Sequence, residues 1–220
     1  MNVLALDTSG SAFYAALKKG ERYFDNSLTS NSMMHSERII PVITELLDKA
    51  GISLKDIDLL VCTRGPGSFT GLRIAMSALK GISMGSGIPL VSVSTLEAWA
   101  RAAGSVSGVK VAVIDAKKQR FYLSAFNEER LMPDTDGTIA DLSFLEEGYT
   151  VVGPDAKAFA EAYPQVKMEV KDVSSDFTRA LIEFGIESFE KNGADHIGQG
   201  PVYLRKSDAE IALEERLRNE

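Results

Sequence analysis

Cysteine is almost missing from this chain: Cys62 is the single one among 220 residues. An internal disulfide is therefore excluded, and a reducing compartment is expected. Histidine is nearly as scarce. His35 and His196 stand far apart, with no HExxH and no paired ligands at helical spacing, so neither a metal nor a cofactor is expected. No apolar run approaches the ~20 residues that span a bilayer, which argues against membrane association. A basic stripe is also lacking, and the net charge is −7 with a pI near 5.0. Proteins that grip RNA alone cluster their cations, because phosphate neutralisation supplies much of the affinity. The nearest candidates here, Lys117, Lys118 and Arg120, are followed by Glu128 and Glu129 and read as solvated surface. The chain enters Val3-Leu4-Ala5-Leu6 without a basic leader or a small-residue cleavage site. The expectation is a cytoplasmic protein without a signal peptide.

What is present is a core and a repeat. The hydrophobic fraction is 45% and the charged fraction 25%, the composition of one compact domain or two small lobes. Val3-Leu4-Ala5-Leu6-Asp7 recurs as Val111-Ala112-Val113-Ile114-Asp115, and in the same register Phe13-Tyr14 falls on Phe121-Tyr122. Each copy reads as a buried strand, a tight turn and an antiparallel return strand, which points to duplication. In the first half a third strand (21–28), a helix (36–50), a strand (59–63), a helix (70–85) and a strand (90–93) follow. A further helix is signalled by the capping-box spacing of Ser94 and Glu97. The second half gives strands at 111–114, 121–126 and 130–132, a weak helix near Leu142, strands at 151–152 and 166–170, and a helix over 176–191. Three strands followed by alternating helix and strand imply an α/β fold, a mixed sheet flanked by helices in each half. The small, polar Gly104–Gly108 stretch marks the boundary. Lobes are expected over 1–104 and 105–205, with a charged helical tail over 206–220.

Three groups of residues carry candidate chemistry. Asp7-Thr8-Ser9-Gly10 and Asp115-Ala116-Lys117 sit where strands end. Across a cleft, such turns hold phosphates through N–H groups and hydroxyls, with the aspartates reaching a metal-bound water. The competing reading is an Asx turn in which each Asp caps its own hairpin. Gly65-Pro66-Gly67-Ser68-Phe69-Thr70-Gly71 links a strand to a helix. Its glycines permit an anion at the helix N-terminus or simply a sharp structural turn capped by Ser68 or Thr70, and no P-loop or GxGxxG is present. On the helix that follows, Gly71, Ala75, Ala78, Ile82 and Gly85 line a small-residue edge beside Leu72, Met76 and Leu79. The preceding helix is broadly apolar through Ile39, Ile43 and Leu47. The two either pack on each other and their sheet or offer a face to another subunit. Cys62, inside Leu59–Cys62, reads as core.

Read in order, Leu4–Ser9, His35-Ser36-Glu37-Arg38-Ile39-Ile40-Pro41, Gly65–Arg73, Val113–Lys117 and Pro201-Val202-Tyr203-Leu204-Arg205 resemble the TsaB (YeaZ) family over nearly all of the first half. The resemblance implies a duplicated actin-like ATPase (RNase-H-like) fold. It also implies a non-catalytic subunit that binds and activates TsaD, which places threonylcarbamoyl on adenosine 37 of tRNA. TsaE would join a larger assembly, the chain would form a homodimer when alone, and tRNA would be reached only indirectly. TsaD carries two metal-binding histidines four residues apart, and Thr95 and Trp99 stand at the corresponding places; neither is a useful ligand. The implied helical interface comprises His35, Ile39, Ile43, Leu47, Leu72, Arg73, Ala75, Met76 and Leu79. A residual nucleotide site would involve Asp7, Thr8, Ser9 and Asp115. Gly10, where the family often has a hydroxyl, weakens that site; Ala75 replaces a frequent glycine. Two other readings stay open: an actin-like phosphotransferase or ATPase using Asp7 and Asp115, and a glycopeptidase-like peptidase, for which no nucleophile or metal site is found.

Overall fold

The computed structural model describes residues 1–29, 35–145, 148–205 and 216–217, excluding the side chains of residues 27–29, 35 and 36. The expected tail over 206–220 therefore lies outside the described residues, apart from Arg216 and Leu217.

Two mixed sheets of like topology form the frame. The first contains β1 (Asn2–Asp7), β2 (Ala12–Lys19), β3 (Arg22–Thr29), β4 (Leu59–Gly65) and β5 (Leu90–Ser94), in the order β3-β2-β1-β4-β5. The second contains β6 (Lys110–Lys117), β7 (Arg120–Phe126), β8 (Arg130–Gly137), β9 (Tyr149–Val152) and β10 (Met168–Val170), in the order β10-β9-β6-β7-β8. In both, the opening strand pairs antiparallel with its hairpin partner and parallel with the strand after the first crossover. The helices are α1 (His35–Ala50), α2 (Phe69–Ser86), α3 (Thr95–Ala102), α4 (Ala156–Ala162) and α5 (Ser174–Asn192). The weak helix expected near Leu142 is a 3₁₀ turn over Ile139–Leu142.

Both central strands are buried on two faces, so they are continuous aliphatic runs rather than alternating ones. Leu4 and Leu6 join the outer core of the first sheet, beneath α1 and α2, whereas Val3 and Ala5 face a central core between the sheets. In β6 the outward residues are Val111 and Val113, and the central ones Ala112 and Ile114. The pairing agrees, since Ala5 lies beside Ala16 and Val61, and Ala112 beside Ser124 and Val152. Matching the faces sets Leu4–Leu6 against Val111–Val113 and puts Ile114, not Asp115, opposite Asp7. The register read from the sequence is thus one residue out for this strand, while Phe13-Tyr14 matches Phe121-Tyr122 face for face. A doubly buried strand lacks the period-two signal that would have fixed it.

The central core joins the two sheets. In it α3 touches β4 and β5 of one sheet and β6 and β7 of the other, while α5 runs beside α3 and covers the inner face of the first sheet. Trp99 stacks on Phe177 at 3.9 Å between ring centroids and meets Tyr14 edge-on at 5.6 Å. Close approach is built in at Gly185, where a Cβ would come within 2.4 Å of Val61. Beyond α5 the chain returns as a strap. The Asp195 N–H donates to Leu90 O at 2.8 Å, and Lys80 Nζ donates to Ile197 O at 2.8 Å. Residues after the second sheet therefore complete the first.

Candidate functional site

The two strand-end turns meet across one cleft of about 500 Å³. Its walls include Ser9, Gly67, Ser68, Asp115, Lys117 and Asp155. The first turn is held from below. Asp7, 1% exposed, accepts from the Ser9 N–H at 3.0 Å and from the Thr63 hydroxyl. The Thr8 hydroxyl donates to Gly71 O at 2.6 Å, and the Ser68 N–H donates to Ser9 O at 2.7 Å. Glycine at 67 and 71 follows from this contact. A Cβ on Gly67 would lie 2.6 Å from Ser9 O, and one on Gly71 only 1.8 Å from Thr8 O. Ser68 caps α2, its Oγ accepting from the Gly71 N–H at 3.2 Å. Asp7 and Thr8 lie beneath the cleft and anchor its floor, and Ser9 reaches the lining.

The second turn is polar and more open. Asp115, half-buried, accepts from the Lys117 N–H and the Lys117 ammonium, both at 2.7 Å, as the Asx reading expects. Its own N–H donates to Asp155 Oδ2 at 2.8 Å. Burial pushes the Asp155 carboxyl above the ordinary carboxylate range; the Asp115 N–H pulls it back, and the Asp115 charge adds a smaller upward push. Lys117, Lys118 and Gln119 take φ of 63°, 56° and 60°, three consecutive left-handed residues that are not glycine. Asp115 and Asp155 with Lys117 make the cleft a mixed-charge polar recess. Among the described residues, no group of three or more His, Cys, Asp and Glu is arranged to hold a metal ion.

Thr95 and Trp99 are in structural roles. Thr95 Oγ1 accepts from the Gly65 N–H at 3.2 Å, and the Trp99 ring lies in the aromatic cluster of the central core. Ser94 caps α3 by accepting from the Glu97 N–H at 3.3 Å. Cys62 is buried, and burial raises its thiol far above the ordinary range, as suits a core residue. His196 is exposed, and its Nδ1 accepts from the Gly198 N–H at 3.0 Å.

The helix pair needs a revision. Ile39, Ile43, Leu72, Ala75, Met76 and Leu79 are each 4% exposed or less, and all of these but Leu72 belong to the outer core of the first sheet, with Leu47 packed against it. They support the helices from beneath, because the sheet already occupies their faces. Of the expected set only Arg73 is exposed, and the His35 side chain lies outside the described residues. The outward apolar residues of these helices are Ile40, at 57%, and Met84, at 73%.

Sequence reasoning missed Thr63, Asp155 and the strap. One signal for Asp155 was present: Gly65-Pro66 after β4 is matched by Gly153-Pro154 after β9. Both glycines have left-handed φ, +114° and +119°, and at both a Cβ would strike a backbone carbonyl, 2.5 Å from Val202 O and 2.3 Å from Val113 O. Aligning those dipeptides leads straight to Asp155.

The duplicated sheets and the cleft between their turns define an α/β protein of the actin-like ATPase fold. The family model for TsaD, tRNA N6-adenosine threonylcarbamoyltransferase, matches residues 29–143. The chain is 37% identical over 137 residues to the tRNA threonylcarbamoyladenosine biosynthesis protein TsaB of Haemophilus influenzae, covering 61% of this chain and 57% of that protein. It thus spans little more than half the length of that relative. The Bacillus subtilis protein of the same name is 28% identical over 222 residues, 96% of each chain. Among solved structures, YeaZ from Pseudomonas aeruginosa superposes with a TM-score of 0.75 at 25% identity, covering 92% of this chain and 99% of that one. The chain belongs to the TsaB (YeaZ) family.

Proposed function

We propose that this chain serves tRNA threonylcarbamoyladenosine biosynthesis as a non-catalytic subunit that binds and activates a TsaD-type transferase acting on adenosine 37. One observation carries the reading. At the two places where the catalytic relative is expected to hold its metal, this chain has Thr95, engaged by the Gly65 N–H, and Trp99, packed into the central core. Neither fits a metal ligand, and a stacked indole cannot be exchanged for one without opening the core. Two further features support a partner role. Ile40 on α1 and Met84 on α2 are large apolar residues whose exposed side chains are available to a partner. A net charge of −7 suits a subunit that leaves the main grip on tRNA to another chain. The same proposal includes the lobe division at 104/105, self-association when the transferase is absent, entry of TsaE into the assembly, and a cytoplasmic location. No described helix is long and apolar enough to cross a membrane.

The test is co-purification with the TsaD of the same organism, sized by light scattering. Ala75→Arg is a poor probe, because Ala75 is 1% exposed and the substitution would disrupt the fold. Ile40→Asp is the appropriate variant. It should leave the thermal midpoint nearly unchanged and weaken the complex by about tenfold or more, as for a central apolar interface residue. A full-strength complex with Ile40→Asp and with Met84→Asp would move the interface elsewhere. No complex at all would reject the partner reading.

A further inference from the structure

Asn192-Gly193 is the one Asn-Gly step in the sequence, and the fold puts it where α5 ends and the strap begins. Asn192 is the last residue of the helix and is exposed. Among the described residues, no hydrogen bond holds its side-chain amide. The other asparagines of the chain are followed by Val, Ser or Glu, whose side chains crowd the next backbone nitrogen. Glycine has no such side chain and reaches backbone angles that other residues avoid.

That pair is a reagent set. The Gly193 nitrogen gives its proton to solvent base and attacks the Asn192 Cγ carbonyl carbon. An N–Cγ bond forms, the Cγ–Nδ2 bond breaks, and ammonia leaves with a proton drawn from water. Water then opens the five-membered imide. Addition at Cγ gives aspartate, and addition at the main-chain carbonyl gives isoaspartate. No electrons are transferred, and water is the only co-reactant.

The folded chain opposes the attack at two points. The Gly193 N–H donates to Phe189 O at 2.8 Å, so the nucleophilic nitrogen is engaged in the last turn of α5, with Gly193 at a left-handed φ of 77°. Two residues further on, Asp195 pins the strap to β5. Its N–H donates to Leu90 O at 2.8 Å, and its carboxylate accepts from the Ser92 N–H at 2.9 Å and from the Ser92 hydroxyl. Ring closure must free the Gly193 N–H and turn Asn192 out of its helical backbone conformation. That rotation swings the chain beyond it, against the pin at Asp195.

We propose that Asn192 is a self-modification site, deamidating through local opening of the α5 end, and that the product loosens the strap. Either product puts a carboxylate at the C-terminus of α5, where the unpaired helix carbonyls disfavour it. Isoaspartate also adds one carbon to the main chain between two fixed bonds, those to Phe189 O and Leu90 O. The change runs one way, so it counts the time a molecule has spent open. The inference does not rest on the partner-subunit reading, because the isolated chain is the reagent.

The experiment incubates the full chain at mildly alkaline pH and follows Asn192 by peptide mass spectrometry. Samples stand in buffer, in urea below the unfolding transition, and in denaturing urea. Native conversion should proceed at least about tenfold more slowly than in denaturing urea. It should stay nearly flat across the lower urea range, because a frayed helix end exposes little new surface. Asp195→Ala, with its thermal midpoint checked, should raise the native rate about threefold or more. Amide exchange over 195–203 should be faster in the converted chain than in the unconverted one. The proposal is overturned if Asn192 stays intact in the native chain while converting in denaturing urea, or if the two rates agree. It also fails if the native rate climbs with urea as global unfolding does, if Asp195→Ala leaves that rate unchanged, or if converted and unconverted chains exchange alike.

Discussion

Gly71 and Gly81 lie on the same helix, yet they answer to different forces. A Cβ at Gly71 would come to 1.8 Å from Thr8 O, while nothing lies within 4 Å of one at Gly81. Gly71→Ala should therefore cost about 3 kcal/mol or more, because backbone must move on both sides of the contact. Gly81→Ala should add up to ~1 kcal/mol through helix propensity alone. Urea denaturation of the two variants checks both. Tyr14 offers a second test at this scale. Its hydroxyl is pushed up to about 12, first by burial and then by the charges of Asp7, Asp172 and Asp155. Below pH 10 the phenol is protonated in the folded and unfolded chains alike, and its contribution is intact. Between pH 10 and 12 the unfolded chain loses the proton while the folded chain keeps it. Stability should then fall by about 2–3 kcal/mol. Wild type should lose that stability relative to Tyr14→Phe across that range if Tyr14 is the source, as denaturation midpoints of the two will read. A constant gap would assign the alkaline loss to other groups.

Among the elements, the strap is the one most exposed to a single change. The Asp195 carboxylate accepts from both the N–H and the hydroxyl of Ser92, and its own N–H holds Leu90 O. Asp195→Ala should cost ~1–3 kcal/mol by leaving buried donors of Ser92 unpaired. It should also speed amide exchange in residues 195–203 more than in α5. Uniform acceleration in both would mean that the strap and α5 open as one unit. This element was hard to read in the sequence, since residues 194–205 carry neither helical nor strand periodicity and dock through backbone atoms. Elements with a periodic pattern were legible: α2, expected over 70–85, spans Phe69–Ser86, and β5, expected over 90–93, spans Leu90–Ser94. The candidate cleft was half legible. The chain's alternation of aspartate turns marked Ser9 and Asp115, but Asp155 comes from a third turn that only the three-dimensional fold brings beside Asp115. Ile39 and Leu72 were misassigned for a related reason. A broad apolar arc tells that a helix is covered on a wide front, not whether its own sheet or another chain does the covering.

For the whole molecule, the decisive feature is a core shared by both sheets. Trp99, Phe177 and Tyr14 come from three elements and sit among residues of β1, β4, β6 and β9. Two lobes joined through such a core should unfold together. Trp99 is the only tryptophan, so its emission reports this core alone, while far-ultraviolet dichroism reports both sheets. The two signals should give one coincident urea transition. Phe177→Ala should move it by ~3–5 kcal/mol without splitting it. Separate midpoints would show lobes that fold independently.

The route of the chain also sets a timetable for its birth. The first sheet is complete once Ser94 has been made, but its inner face is roofed by α5, which ends at Asn192. At ordinary rates of translation, the interval between those residues lasts on the order of ten seconds. Throughout it, Val61 and its neighbours on the nascent sheet lack their native cover, an apolar face open to association with another chain until α5 emerges.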